Sequence, residues 1–595
     1  MVSARSFAIT LAAAALTLAP AATAQPSKVI RVAFPVAESG FDPQAIADNY
    51  SSTIARAIFE PLYTYDYFAR PAKLVPAAAE APPEVSADLT TYTIRLRKGL
   101  RFADDPAFGG KPREVTAQDY VYSWKRLLDP KVRSYFVHVF ENRLAGGDEA
   151  IAKARATGAF DYDAPIAGLT AVDPHTIRVR FTEPYYAFRH WLTTVTLAAV
   201  AREVVDKHKD ASNRVAEHPV GSGPYRLAEW RRSQKIVLDA NPNWRDARYP
   251  AAIEAADKPI AAGLTGRKLP LVPRVEISII EEPQPRLLSF ERGEIDMVDL
   301  PSELAPNVLD GNALKPAYAK RGIGHTRMLE PALTFTYFNL DDPVVGGYTP
   351  EKIALRRAIG MAYDNAEAIR VLLKGRAVPA EGPIPPGIEG HDPKFKANAQ
   401  LYDPAAARAL LDKFGYRDRN GDGWRELPDG RPLVLERWSS PNSAQRQADE
   451  LWKKNLNAVG LNIEFRKDKL PELRKMARQG RIPMRGDGWN GDYPDAENFM
   501  QLLYGPNAGQ ENYARFNLPA FNKLYDQARA MPDSPARTAL FTKMTEVVLA
   551  YAPWRMTVSL LEDHLAHRWV TSYVPHPIRS QTWMYTPVDD KLRAK

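Results

Sequence analysis

The sequence predicts an α/β protein of more than one lobe, with each lobe assembled from separated stretches of chain. Three observations carry this expectation. Strand-like and helix-like segments follow one another from end to end. No repeat of fixed period and no low-complexity tract interrupts them. No single Pro/Gly/Ser linker divides the 595 residues into tandem modules, although that length calls for more than one domain.

In chain order, residues 28–36 alternate as a first strand. Asn49 to Tyr63 has apolar residues at Ile54, Ala57 and Ile58 with helical spacing, and Pro61 closes it. Pro71 to Pro83 is a Pro/Ala-rich loop. Thr91 to Arg97 alternates as a strand. Thr116 caps a helix running through Leu128, and Asp119 stands in its first turn, where the helix dipole favours an anion. Thr176 to Phe181 is a strand. The turn Gly221-Ser222-Gly223-Pro224 leads into a strand pair at Tyr225–Trp230 and Lys235–Ala240. Arg274 to Ile280 is a strand, and Pro285 to Arg292 a short helix closed by Gly293. Leu333 to Leu340 is a strand rich in aromatic and β-branched residues. Helices are expected at Pro350–Leu373, Pro404–Phe414 and Ala444–Val459, ended by Gly375, Gly415 and Gly460. A strand at Leu461–Phe465 and helices near Pro519–Ala530 and Pro535–Tyr551 follow.

The N-terminus sets the compartment. Arg5 precedes an apolar run from Phe7 to Ala19, Pro20 breaks it, and Ala22-Thr23-Ala24 supplies small residues. That order is a secretory signal peptide over residues 1–24, cleaved between Ala24 and Gln25. The run is too short for a retained spanning helix. With no cysteine, neither a lipid-modified Cys nor a disulfide is available. Export without an anchor points to a Gram-negative periplasm. The formal charge is +8, yet Lys and Arg are scattered among Asp and Glu, which argues for a mixed solvated surface rather than nucleic-acid binding.

Several segments, taken together, resemble the peptide- and nickel-binding family of ABC-importer solute-binding proteins, family 5. Phe41-Asp42-Pro43 and Ile58-Phe59-Glu60-Pro61-Leu62 resemble its N-terminal block. Thr93 to Gly99 and Thr116-Ala117-Gln118-Asp119-Tyr120-Val121-Tyr122-Ser123-Trp124-Lys125-Arg126 resemble its most recognisable signature. Val220-Gly221-Ser222-Gly223-Pro224-Tyr225, Arg292-Gly293-Glu294-Ile295-Asp296, Leu451 to Leu456 and Gly488-Trp489-Asn490-Gly491-Asp492-Tyr493-Pro494-Asp495 follow in the family's order. The resemblance covers about residues 28 to 570. It implies a two-lobed periplasmic-binding-protein fold (Venus flytrap, class II) with an additional domain in the first lobe. Lobe I is then 25–62, 171–332 and 558–595, the extra domain 63–170, and lobe II 333–557. Hinge segments fall near Leu333–Leu340 and Met556–Leu561, with the ligand enclosed between lobes. The implied role is periplasmic capture of oligopeptides or dipeptides for an inner-membrane permease. The protein is expected to act as a monomer without catalysis and without a membrane anchor.

The resemblance also implies site residues. Asp492 stands where relatives place the acid that takes a ligand α-ammonium, since a cation enclosed in a cleft needs a fixed anion. The competing reading is an Asp organising its own turn. Trp489 resembles an aromatic lining a side-chain pocket, against ordinary core packing. Gly221 and Ser222 are expected to present backbone and hydroxyl groups to the cleft, with peptides held through main-chain hydrogen bonds. Tyr135, Asn49 and Arg485 are further candidates, Arg485 for the ligand carboxylate although one residue out of step. Relatives with Glu two residues before Asn49 differ here, where Ala47 stands.

Apart from the resemblance, Asp418, Asn420 and Asp422 alternate before Gly423. Oxygens at that spacing can converge on a structural calcium, with Trp424, Glu426 and Asp429 completing the loop. Asn-Gly and Asp-Gly also read as a plain hairpin turn. No other cofactor is required. Two rival functions remain in the sequence reading. One is the same fold holding an opine, an oligosaccharide, haem or a metal chelate. The other is a periplasmic hydrolase, for which no Gly-x-Ser-x-Gly elbow, P-loop, His-Glu-x-x-His or Cys nucleophile appears. His564 and His567, three apart, could share a helix face, with His576 beyond.

Overall fold

The computed structural model describes residues 28–594 apart from 47, 577 and 579–581. The expected signal peptide and Ala47 lie outside the described residues. Within them no helix is long and apolar enough to cross a membrane.

The first lobe is built on Val29–Phe34, which pairs in parallel with Arg274–Ile279. Lys235–Ala240 and Tyr225–Arg231 extend that sheet antiparallel. A second sheet of the same lobe sets Val558–Ala566 between Met297–Asp299 and Gly324–Leu329. The other lobe holds five strands in the order Asn462–Lys467, Val434–Ser439, Met484–Asn490, Ala332–Phe338 and Trp554–Met556. Period-two alternation distributes its side chains. Leu333, Phe335 and Tyr337 pack on one face with Phe499 and Phe541. Phe338 turns to the opposite face, with Leu355, Leu411 and Trp452. The expected two-lobed α/β arrangement is therefore present.

The chain passes between lobes at Glu330-Pro331, between Gly324–Leu329 and Ala332–Phe338, and returns at Thr557, between Trp554–Met556 and Val558–Ala566. The crossings run side by side. Thr557 N–H donates to the Thr334 carbonyl at 2.9 Å, and the two hydroxyls meet at 2.6 Å.

Two expected boundaries need correction. Residue 170 falls inside the strand Leu169–Asp173, which pairs with Thr176–Arg180, itself paired with Thr91–Arg95. The inserted unit's sheet therefore runs on to Arg180. The cause is packing: Tyr92, Ile94, Ile177 and Val179 are all fully buried together. Within 333–557, Ala377–Pro379 leaves its lobe and pairs with Val558–Leu560. Arg376 pins it there, donating to the buried Asp563 at 2.6 Å and to the Leu300 carbonyl at 3.0 Å.

Two helices also stop earlier than their apolar spacing suggests. The first spans Asn49–Ile58, because Phe59 is already extended ahead of Pro61. The helix expected to Leu373 ends at Ala362. Asp364 then accepts the Glu367 N–H at 2.8 Å and caps a new turn, so the chain changes direction. The helix Ala117–Leu128 is capped as expected, with the Asp119 carboxylate accepting the Thr116 N–H at 2.7 Å.

Candidate functional site

A cavity of about 490 Å³ lies between the lobes. One wall is the end of the first strand and the start of the first helix, including Phe34, Asn49 and Thr53. The inserted unit contributes Phe136, the segment after it Trp191, and the second lobe Ala332, Asn490, Gly491 and Asp492. The lobes also touch beside it. Tyr493 is buried, stacked on His190 at 5.3 Å, and Arg189 donates to Glu389 at 2.9 and 3.0 Å.

Asp492 opens onto this cavity from the loop after Met484–Asn490. Its backbone N–H donates to Asn498 Oδ1 at 3.0 Å, and Asn498 Nδ2 donates to its carboxylate at 3.1 Å. The same Asn498 oxygen accepts the Trp489 indole N–H at 2.9 Å. One fully buried amide thus sets both side chains. Desolvation between the walls of the cleft pushes the Asp492 carboxyl up to about 6, against the Asn498 hydrogen bond, with Glu511 and Glu497 adding repulsion. No Lys, Arg or His among the described residues pairs with it. It is a carboxylate exposed to the cleft, fixed by Asn498, with no paired cation among the described residues.

Trp489 and Tyr135 meet at a smaller recess of about 90 Å³, walled also by Phe335, Tyr337, Tyr513 and Trp554. Tyr135 is mostly exposed and reaches it from the inserted unit. Arg474, Arg478 and Glu511 edge the recess. Arg478 is paired with Glu511 at 2.9 Å, whereas Arg474 makes no ion pair among the described residues.

The main cavity is acidic. Asp48, Asp299, Glu330, Asp492 and Glu562 line it, and Arg56 is the single Lys or Arg among its described lining residues. Asp299 accepts from His564 Nδ1 at 2.7 Å, and this contact holds its carboxyl below the usual range. Burial, then the Asp299 charge, pushes the Glu562 carboxyl up to about 7.

The other expected residues are placed as follows. Asn49 opens the first helix and lines the cavity. Gly221 and Ser222 do not line it. Gly223 N–H donates to the Ile58 carbonyl at 2.7 Å, the Gly221 carbonyl accepts Ala103 N–H at 2.8 Å, and Ser222 is buried. A Cβ on Gly221 would stand 2.2 Å from the Ile58 oxygen. These glycines let the turn close on the end of the first helix, a packing role that displaces the expected ligand contact. Arg485 is likewise off the cavity, buried and spent on Asp487 at 2.7 Å. His564 lies in a strand rather than a helix, so His567 points elsewhere, to the Phe290 carbonyl at 2.7 Å, and His576 lies near the Asp66 carbonyl at 3.1 Å.

In the loop at 418–429, Asp418, Asp422 and Glu426 bring one oxygen each within 4.8 Å of the others. Asn420 Oδ1 accepts the Asp422 N–H at 2.9 Å, and Trp424 N–H donates to Asp422 at 2.8 Å. Asp429 pairs instead with Arg431 at 2.7 Å, so it drops out of the expected ligand set.

Sequence reading missed Asn498, Arg474, Glu511 and the Asp299–Glu330–Glu562 group. None sits in a local motif. Asp299 and Glu330 are brought to Glu562 from more than 200 residues away, whereas Asn498, Arg474 and Glu511 lie close to Asp492 in the chain but outside any motif.

The family model for bacterial extracellular solute-binding proteins, family 5 (middle), matches residues 73–511. The di/tripeptide-binding protein 2 of Pseudomonas aeruginosa is 24% identical over 587 residues, covering 97% of each chain. The heme-binding protein A of Haemophilus influenzae is 25% identical over 562 residues, covering 93% of this chain and 91% of the relative. Among solved structures, the periplasmic binding protein DppA of Helicobacter pylori in complex with the peptide STSA superposes with a TM-score of 0.68. It is 20% identical, covering 94% of this chain and 98% of that one.

Proposed function

The chain belongs to family 5 of the bacterial extracellular solute-binding proteins, and on that footing we propose that it captures short peptides with a free amino terminus. Capture takes place between the lobes, in the periplasm of a Gram-negative cell, and the monomeric protein delivers its ligand to an inner-membrane ABC permease. The family is one of binding proteins rather than enzymes. The observation that carries the reading is Asp492: a carboxylate fixed by Asn498, facing the cleft, with no cation of its own. An α-ammonium group supplies that cation and forms a charge-assisted hydrogen bond in a desolvated space. Trp489 and Tyr135 then flank the first side chain, and Arg474, at the edge of the same recess and in no ion pair among the described residues, takes a ligand carboxylate. Closure turns about the paired crossings at Glu330-Pro331 and Thr557.

The relatives include both a peptide binder and a heme binder. The acidic wall favours the first, because the propionates of haem would face Asp299, Glu330 and Glu562, with Arg56 as the one Lys or Arg among the described lining residues.

The reading has a pH signature. The Asp492 carboxyl lies near 6 without ligand and is driven below that by a bound ammonium group. Affinity is therefore full above about pH 6 and falls as pH drops through it, by up to about tenfold per unit. Calorimetry with a tripeptide at pH 7.5 and pH 5 should show this loss, and Asp492→Asn should abolish the dependence. A flat profile in the parent protein contradicts the assignment.

We propose calcium for the 418–426 loop, with Asp418, Asp422 and Glu426 as the carboxylate ligands. Millimolar Ca²⁺ should raise the thermal midpoint of the chelator-treated protein, and Asp418→Ala should remove the rise. No change in the parent protein contradicts it.

A further inference from the structure

Three donor side chains converge outside the cleft lining. Asp105 precedes the short turn Pro106–Phe108 and spends Oδ1 on the Ala107 N–H at 2.8 Å. His208 ends the helix Arg202–His208. His218 lies beyond the following loop, with Nε2 at 2.6 Å from Asp105 Oδ2. The imidazoles of His208 and His218 stack with centroids 3.8 Å apart and planes 18° from parallel. One donor atom from each of the three residues lies within 4.8 Å of the other two. None of the three lines the cleft.

Ordinary hydrogen bonding does not account for all of this. The Asp105–His218 pair is complete by itself, yet His208 Nε2 is buried with no hydrogen-bond partner among the described residues. A buried ring nitrogen without a partner is costly, and native structures remove that cost with a donor or with a metal ion. No donor reaches it among the described residues, while a second imidazole and a carboxylate oxygen lie close by. The frame that carries them is braced: Arg113 bridges Asp119 at 2.7 Å and Glu203 at 2.8 Å, tying the helix Arg202–His208 to the segment that holds Asp105.

We propose that Asp105, His208 and His218 bind a borderline divalent d-block cation, with Zn²⁺ as the reference ion. Two imidazole nitrogens and one carboxylate oxygen are the donor set such ions take, and a fourth position stays open to water. The ion enters as the His218–Asp105 contact widens. Ligand atoms about 2.0–2.1 Å from a tetrahedral centre lie roughly 3.3 Å from each other. The bound ion ties three segments of the first lobe and the inserted unit together, and so acts on stability rather than on solute capture.

The test uses the full mature protein, tag removed and chelator-treated, titrated with ZnCl₂ by calorimetry and with Co²⁺ by visible absorption. A single tight equivalent with the intense d–d bands of a low-coordinate nitrogen/oxygen site is expected, together with a higher thermal midpoint. His208→Ala/His218→Ala should weaken this equivalent by more than about 100-fold while the metal-free midpoint stays near that of the parent. Glu562→Gln/His564→Ala, which removes the histidine-containing carboxylate cluster of the cleft, should leave it intact. The proposal is overturned if the parent binds no Zn²⁺, if the double histidine variant binds it equally well, or if the cleft variant is the one that loses it.

Discussion

Asp492→Ala is expected to weaken binding of a tripeptide with a free amino terminus by about 100-fold or more. The magnitude follows from what the substitution leaves behind. A ligand ammonium would be enclosed between the lobes with no anion to meet it, and removing one partner of a buried, hydrogen-bonded charge pair costs about 2–5 kcal/mol. The Asn498 amide would lose its acceptor at the same time. N-acetylation of the peptide removes the same interaction from the other side, so the acetylated peptide should bind the parent weakly and the variant no worse. Calorimetry on the four combinations gives the coupling directly. Equal losses that simply add would place the amino terminus elsewhere in the cleft.

Asp42→Ala is expected to destabilise the first lobe by about 3–5 kcal/mol. Asp42 and Arg126 are both almost wholly buried, and the guanidinium meets the carboxylate at 2.6 and 3.0 Å. Asp42 also accepts the Val215 N–H at 2.7 Å. Truncation strands a buried guanidinium. Against burial, Arg126 holds the Asp42 carboxyl below its usual range. Its contribution is thus present above the unfolded carboxyl range, and it is lost as pH falls through that range toward the lowered folded value. Thermal unfolding at pH 7 should show a midpoint lower by about 5 °C or more, with a smaller gap in strong acid. An unchanged midpoint at pH 7 would mean that water reaches Arg126.

The sequence carried the fold further than it carried the site, for identifiable reasons. Strands such as Lys235–Ala240 and helices such as Pro535–Tyr551 fall where local alternation, capping residues and proline place them. The break at Tyr363 was hidden because apolar spacing continues through it, and only the Asp364 cap reveals the new turn. The strand Val558–Ala566 was not recognised because its partners lie more than 170 residues away. At the candidate site, Asp492 and Trp489 are singled out through the resemblance alone. Asn498, which fixes both, sits in no motif. Gly221 and Ser222 looked like ligand contacts because a Gly-rich turn can offer its backbone outward. Here the turn lies against the Ile58 carbonyl instead, which is a matter of tertiary approach.

The most direct test of the central claim is to purify the mature protein natively, release its cargo by denaturation and identify it by mass spectrometry. The account predicts a ladder of short peptides with unblocked amino termini, lost from the Asp492→Ala protein. A single non-peptide species, retained by that variant, would contradict it.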